Sequence, residues 1–170
     1  MVHLLGQSFA VRTIVAVAII CGTYASADAQ TPSAHSAGSQ IGFTAGVSID
    51  PEQAFAGVFW ETPEIGNRFH LRPGIEGGFG SGLSLATINI DFIAKFPLGN
   101  SGWDFIQGGG PAIVLARFDG FNGERQSDVG AGGSYIIGFA HDSGFLAEFR
   151  VGGGGNVPSL KLAAGYAIRF

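Results

Sequence analysis

The chain has 170 residues, 29 of them glycine, with 13% charged residues, one cysteine and a formal net charge of −4. There is no basic run or stripe, which excludes nucleic acid as a partner. There is also no apolar run of about eighteen residues, which excludes a membrane-spanning helix. Yet 46% of the residues are hydrophobic. That leaves a core-rich soluble protein or a membrane β-barrel, which hides its apolar residues in alternation.

Residues 1–29 read as a cleaved signal peptide. Residues 1–12 carry His3 and Arg12 and no acid, residues 13–25 are apolar and small, and Ala27-Asp28-Ala29 supplies a small-x-small cleavage site before Gln30. The apolar stretch 14–21 is too short to span a bilayer. Lipid attachment at Cys21 is the lesser reading, because bulky Ile20 precedes it. Cleavage after Ala29 leaves no cysteine, so thiol catalysis and cysteine-rich zinc sites drop out. It removes one base, Arg12, and one acid, Asp28, so the net charge stays at −4. Residues 30–39, small and polar, read as a flexible lead-in with His35 exposed.

A period of two begins at Gln40, where the barrel domain 40–170 starts. Ile41, Phe43, Ala45, Val47 and Ile49 share one face of a first strand, 40–50; Gly42, Thr44, Gly46, Ser48 and Asp50 share the other. Pro51 ends it. A second strand covers about 54–62, with Trp60 outward and its parity blurred by Phe55 and Phe59. A third, 69–79, opposes Phe69, Leu71, Ile75 and Phe79 to His70, Arg72 and Glu76, and Pro73 predicts a local defect or bulge there. A fourth, 83–96, alternates Ile88, Ile90 and Phe92 with Asn89, Asp91 and Lys95. A fifth, 103–117, contains Gly108 to Gly110 and Pro111, which predict a bend or bulge where side chains must be absent. Residues 118–128 form the longest polar connection. The sixth strand, 129–140, a tight turn, the seventh, 145–152, and the eighth, 159–170, complete the chain. Eight is an even count, which lets an up-and-down meander return its last strand beside its first.

The polar parity decides which face is wet. It carries His70, Arg72, Glu76, Asn89, Asp91, Lys95, Glu148, Arg150, Lys161 and Arg169, interspersed with glycine. A narrow lumen needs small residues for room and opposite charges to avoid isolated buried ions. The apolar parity is uncharged in the first, third, seventh and eighth strands, as a lipid-facing surface requires. Trp60, Phe69, Phe79, Trp103, Phe145 and Phe170 lie near strand ends, as in interfacial girdles. The expected fold is all-β, an eight-stranded antiparallel up-and-down transmembrane β-barrel. Its lumen is closed by Arg72 with Glu76, Glu148 with Arg150 and Asp91 with Lys95, with Lys161 and Arg169 in the same charge network. A small conducting pore is the lesser reading of these charges, and a soluble lipocalin-like carrier, with the apolar face inward, is the alternative fold.

The export signal, the two-residue period and the terminal LKLAAGYAIRF resemble the small eight-stranded outer-membrane β-barrels of Gram-negative bacteria, the OmpA/OmpX-like group. The resemblance covers about 40–170. It implies location in the outer membrane among its lipids, and recognition by the barrel-assembly machinery through Tyr166, Ile168 and Phe170. That group has long outer loops, and here only 118–128 is long. Asp119, Arg125 and Asp128, with Arg117 beside them, are the expected contacts for an extracellular ligand.

Other chemistry is weaker. His141, Ser143 and Glu148 resemble the His-x-Ser and Glu arrangement of outer-membrane lipid A deacylases, but His-Asp-Ser-Gly is also turn chemistry. The glycine runs lack the Lys-Ser/Thr that phosphate loops need. The acids lack calcium-loop spacing, so neither a metal nor another cofactor is expected. The expectation is therefore a structural or surface-interaction protein and not an enzyme.

Overall fold

The computed structural model describes residues 38–66, 68–80, 82–119 and 125–170. The expected signal peptide, Cys21 and His35 lie outside the described residues. Eight strands follow in chain order: β1 (Gln40–Ile49), β2 (Glu52–Glu61), β3 (Phe69–Gly80), β4 (Leu83–Pro97), β5 (Trp103–Asp119), β6 (Arg125–His141), β7 (Phe145–Gly153) and β8 (Leu160–Arg169). Each pairs antiparallel with the next, and β8 returns to β1 from Gln40↔Arg169 to Ser48↔Lys161. The sheet is a closed barrel, so no strand edge is left to seek a partner. One end, the terminal end, carries Gln40, Phe170 and the connections 62–68, 98–102 and 142–144. The other, the hairpin end, carries 50–51, 81–82, 120–124 and 154–159.

The alternation puts apolar side chains outside. Ile88, Ile90 and Phe92 are 51%, 44% and 60% exposed, whereas Asp91 between them is 1% exposed and Arg72 opposite it is 3% exposed. A lipocalin-like carrier needs the inverse arrangement, so that alternative is overturned. Eight strands enclose a bore only wide enough to be filled by side chains. Inward glycines make the room: a Cβ on Gly42 would collide with the Phe59 ring, and one on Gly57 would press on the Glu76 side chain.

Neither expected site carries a bulge; each carries a lapse in one ladder. Pro73 sits opposite Ile90 in a β3–β4 ladder whose register runs without a slip from Phe69↔Ala94 to Gly80↔Leu83. Its missing donor faces β2, because Leu71, two residues away, accepts from the Thr62 N–H (3.0 Å). The β2–β3 pairing stops at Phe59↔Gly74. Beyond that gap the Leu71 N–H is taken by the Thr62 hydroxyl at 3.0 Å. A side-chain acceptor and a lapse in one ladder thus accommodate the proline, with no extra residue. At the glycine triplet, β4–β5 pairing lapses after Asn89↔Ala112 and resumes at Phe92↔Gly109 in the same register. β5–β6 pairing is unbroken. Side chains are indeed excluded there, since a Cβ on Gly110 would collide with the Ile90 carbonyl.

The connection read as 118–128 is shorter than expected. β5 and β6 continue their ladder through Arg117↔Ser127, Phe118↔Gln126 and Asp119↔Arg125, leaving 120–124 between them. Arg117, Asp119, Arg125, Gln126, Ser127 and Asp128 lower the hydropathy of these strand ends without ending the pairing.

Candidate functional site

The lumen is built in layers. Near the hairpin end Leu85, Val114 and Ala116 pack together with Leu83 and Val157 against them. Near the terminal end Ile93, Ile106 and Ile136 form a second apolar cluster with Ala140. Between and beside them runs an ionic belt. Leu85 and Ile93 share the inward parity of Asp91, so the apolar clusters lie on the face that the ionic residues mark as polar.

The belt joins residues from opposite walls. Arg72 on β3 donates through Nη1 to Glu148 Oε1 on β7 at 2.5 Å, and Arg150 Nη1 on β7 donates to Asp91 Oδ2 on β4 at 3.0 Å. Arg150 Nη2 also lies 3.6 Å from Glu148 and 4.0 Å from Glu76. Lys161 on β8 pairs with Glu76. With its amide turned to satisfy both atoms, Asn89 donates to the Gly74 carbonyl at 2.8 Å and accepts from Arg150 at 2.9 Å. Lys95 binds Glu61 at 2.5 Å. His70 is buried, and its Nδ1–H donates to the Thr62 carbonyl at 2.9 Å, with Glu61 3.7 Å away.

Of the three expected pairs, Glu148 with Arg150 is present at 3.6 Å and the other two are exchanged. Arg72 takes Glu148 and not Glu76, Glu76 takes Lys161, and Lys95 takes Glu61 and not Asp91. The reason is geometric. Residues four apart on one strand are separated by about 13 Å of rise, whereas a narrow bore lets long side chains from opposite walls meet. Arg169 is exposed beside the paired Gln40, at the rim, outside the belt. Glu61 is the belt member that sequence reading missed. Its signal was the shared parity of Gln53, Gly57 and Glu61, obscured by Phe55 and Phe59. Both aromatics serve the ions: the Lys161 ammonium lies 4.0 Å from the centre of the Phe55 ring, and the Arg72 guanidinium 5.0 Å from that of Phe59.

The hydrolase arrangement does not assemble. His141 Nδ1 meets the Ser143 hydroxyl at 2.7 Å in the β6–β7 turn, and the His141 ring stands edge-on to Trp103 at 4.7 Å. Glu148 points into the lumen, buried against Arg72, and does not orient that histidine. Among the described residues no cluster of His, Cys, Asp and Glu could hold a metal. No helix among them is long and apolar enough to cross a membrane.

Of the surface residues, Asp128 lies in β6 opposite Ala116, exposed, accepting from Asn156 Nδ2 at 2.8 Å. Arg117 is exposed in β5. Asp119 and Arg125 occupy facing positions at the ends of β5 and β6. At the chain terminus Ile168 and Phe170 are 65% and 70% exposed. Tyr166, half-buried, stands edge-on to Phe145 at 5.2 Å.

The geometry has known counterparts. The N-terminal β-barrel domain of Pseudomonas aeruginosa OprF superposes with a TM-score of 0.61 over 78% of this chain and 97% of that one, at 10% identity. Neisserial surface protein A superposes with a TM-score of 0.59 over 78% of this chain and 95% of that one, at 14% identity. The fold is that of the small eight-stranded outer-membrane barrels. No protein-family model and no curated protein matches the chain in sequence.

Proposed function

We propose that this chain is exported and resides in the outer membrane as a structural or surface-interaction barrel with a plugged polar lumen. The observation that carries the reading is the opposition of the two faces. Ile41, Phe43, Val58, Ile75, Ile88 and Phe92 each expose more than half of their surface, while Arg72, Asp91, Glu148 and Lys161 are buried. A monomer in water does not expose so continuous an apolar belt; acyl chains are the solvent it fits. The ionic belt is self-neutralising, and apolar clusters flank it, which supports closure over conduction. Asp119, Arg125 and Asp128 at the hairpin end are the proposed contacts for an extracellular ligand. Tyr166, Ile168 and Phe170 are the proposed signal for the assembly machinery.

The test is fractionation of the processed protein with heat-modifiable gel migration. A barrel recovered in outer-membrane extracts, migrating faster unheated than boiled, supports the reading. A soluble periplasmic protein with unchanged migration defeats it.

A further inference from the structure

Four charged side chains in the lumen form a ring of alternating sign. Arg72 donates to Glu148, Glu148 lies 3.6 Å from Arg150, and Arg150 donates to Asp91 at 3.0 Å. Asp91 in turn stands directly opposite Arg72 in the β3–β4 ladder. Three sides of the ring are thus closed by contact between charges. The fourth, from Asp91 to Arg72, is not, because the partners on β7 draw both side chains toward the far wall. The atoms left over fall on the two residues of that side. Arg72 Nη2 and Asp91 Oδ1 are both buried, and neither has a hydrogen-bond partner among the described residues. One is a donor and the other an acceptor, and each is costly to leave unsatisfied. The Phe59 ring, 5.0 Å from the guanidinium, is a weak acceptor and does not replace an oxygen. A small cavity touches all four members of the ring, with about 10 Å³ open to a water-sized sphere.

We infer that a single water molecule occupies this cavity, accepting from Arg72 Nη2 and donating to Asp91 Oδ1, and so closes the ring. Hydrogen-bonding capacity selects it: an orphan donor and an orphan acceptor call for a group that both accepts and donates. Charge selects against an ion. Two guanidinium groups and two carboxylates already balance, so an ion would add an excess charge in a poorly solvated space. Volume sets the number, since roughly 10–15 Å³ of such space is what one water needs. The inference rests on the plugged-lumen reading and deepens it: the plug includes a fixed water, and the ring keeps no buried polar atom unpaired.

The test is a crystal structure of the folded protein in detergent, at a resolution that shows ordered water. A spherical density is expected within about 2.7–3.2 Å of both Arg72 Nη2 and Asp91 Oδ1. In micelles, the Arg72 guanidinium protons should show NMR cross-relaxation with a long-lived water. Arg72→Met combined with Glu148→Leu removes the donor and leaves Asp91 paired with Arg150. In that variant the density should be lost while heat-modifiable migration persists. Arg72 and Asp91 in direct contact, density bonded to only one of them, an anomalous signal there after a bromide soak, or density that persists in the folded double variant would each overturn the inference and leave the plug intact. A continuous column of disordered solvent along the bore would overturn the plugged lumen together with it.

Discussion

Arg72 and Asp91 lie directly opposite each other in the β3–β4 ladder, yet each takes its ion-pair partner from β7: Arg72 from Glu148 and Asp91 from Arg150. The two strands are thereby tied to the far wall of the barrel. Glu148→Gln leaves Arg72 without its counter-charge and should cost about 3–5 kcal/mol. Arg72→Met combined with Glu148→Leu removes both charges and should lie nearer the wild type than either single change. Urea unfolding in lipid vesicles measures both. A double variant as unstable as the sum of the singles would show that Arg72 and Glu148 are not coupled and would overturn this expectation.

Ile88 is outward and half exposed. Ile88→Lys should destabilise the barrel in a bilayer by about 2–4 kcal/mol if the residue sits near the midplane. The same change should matter far less in small detergent micelles, where the ammonium group reaches water. Unfolding free energies in the two media give the comparison, and equal values would remove Ile88 from the lipid face.

A side chain at Gly42 would collide with the Phe59 ring, which lies beneath the Arg72 guanidinium. Gly42→Val should therefore displace Phe59 and cost about 1–3 kcal/mol through overpacking. Adding Phe59→Ala should recover part of that loss, because it vacates the same space. Denaturation midpoints of the single and double variants decide this.

Phe170 is 70% exposed, and its side chain contributes little to the barrel's packing; its N–H bonds the Ser39 carbonyl at 3.0 Å. Phe170→Ser should leave refolding of purified protein into vesicles near that of the wild type. In cells, the outer-membrane level should fall severalfold if the terminal aromatic is read during assembly. Parallel losses in both settings would assign Phe170 a stability role.

The strands and their wet and dry faces were legible in the sequence because both are local properties. A period of two is written into each strand, and the parity carrying Arg72, Asp91 and Glu148 can point only where ions are tolerated. The turn at Pro51 and the strand that resumes at Phe69 were legible for the same reason. The ion pairs were not. Arg72 and Glu148 are 76 residues apart, and their meeting depends on closure and stagger of the sheet, which decide which walls face across the bore. Glu61, the apolar clusters around Val114 and Ile136, and the reach of β5 and β6 to Asp119 and Arg125 were likewise settled by the tertiary structure. Each depends on what stands opposite, and neighbours along the chain do not determine that.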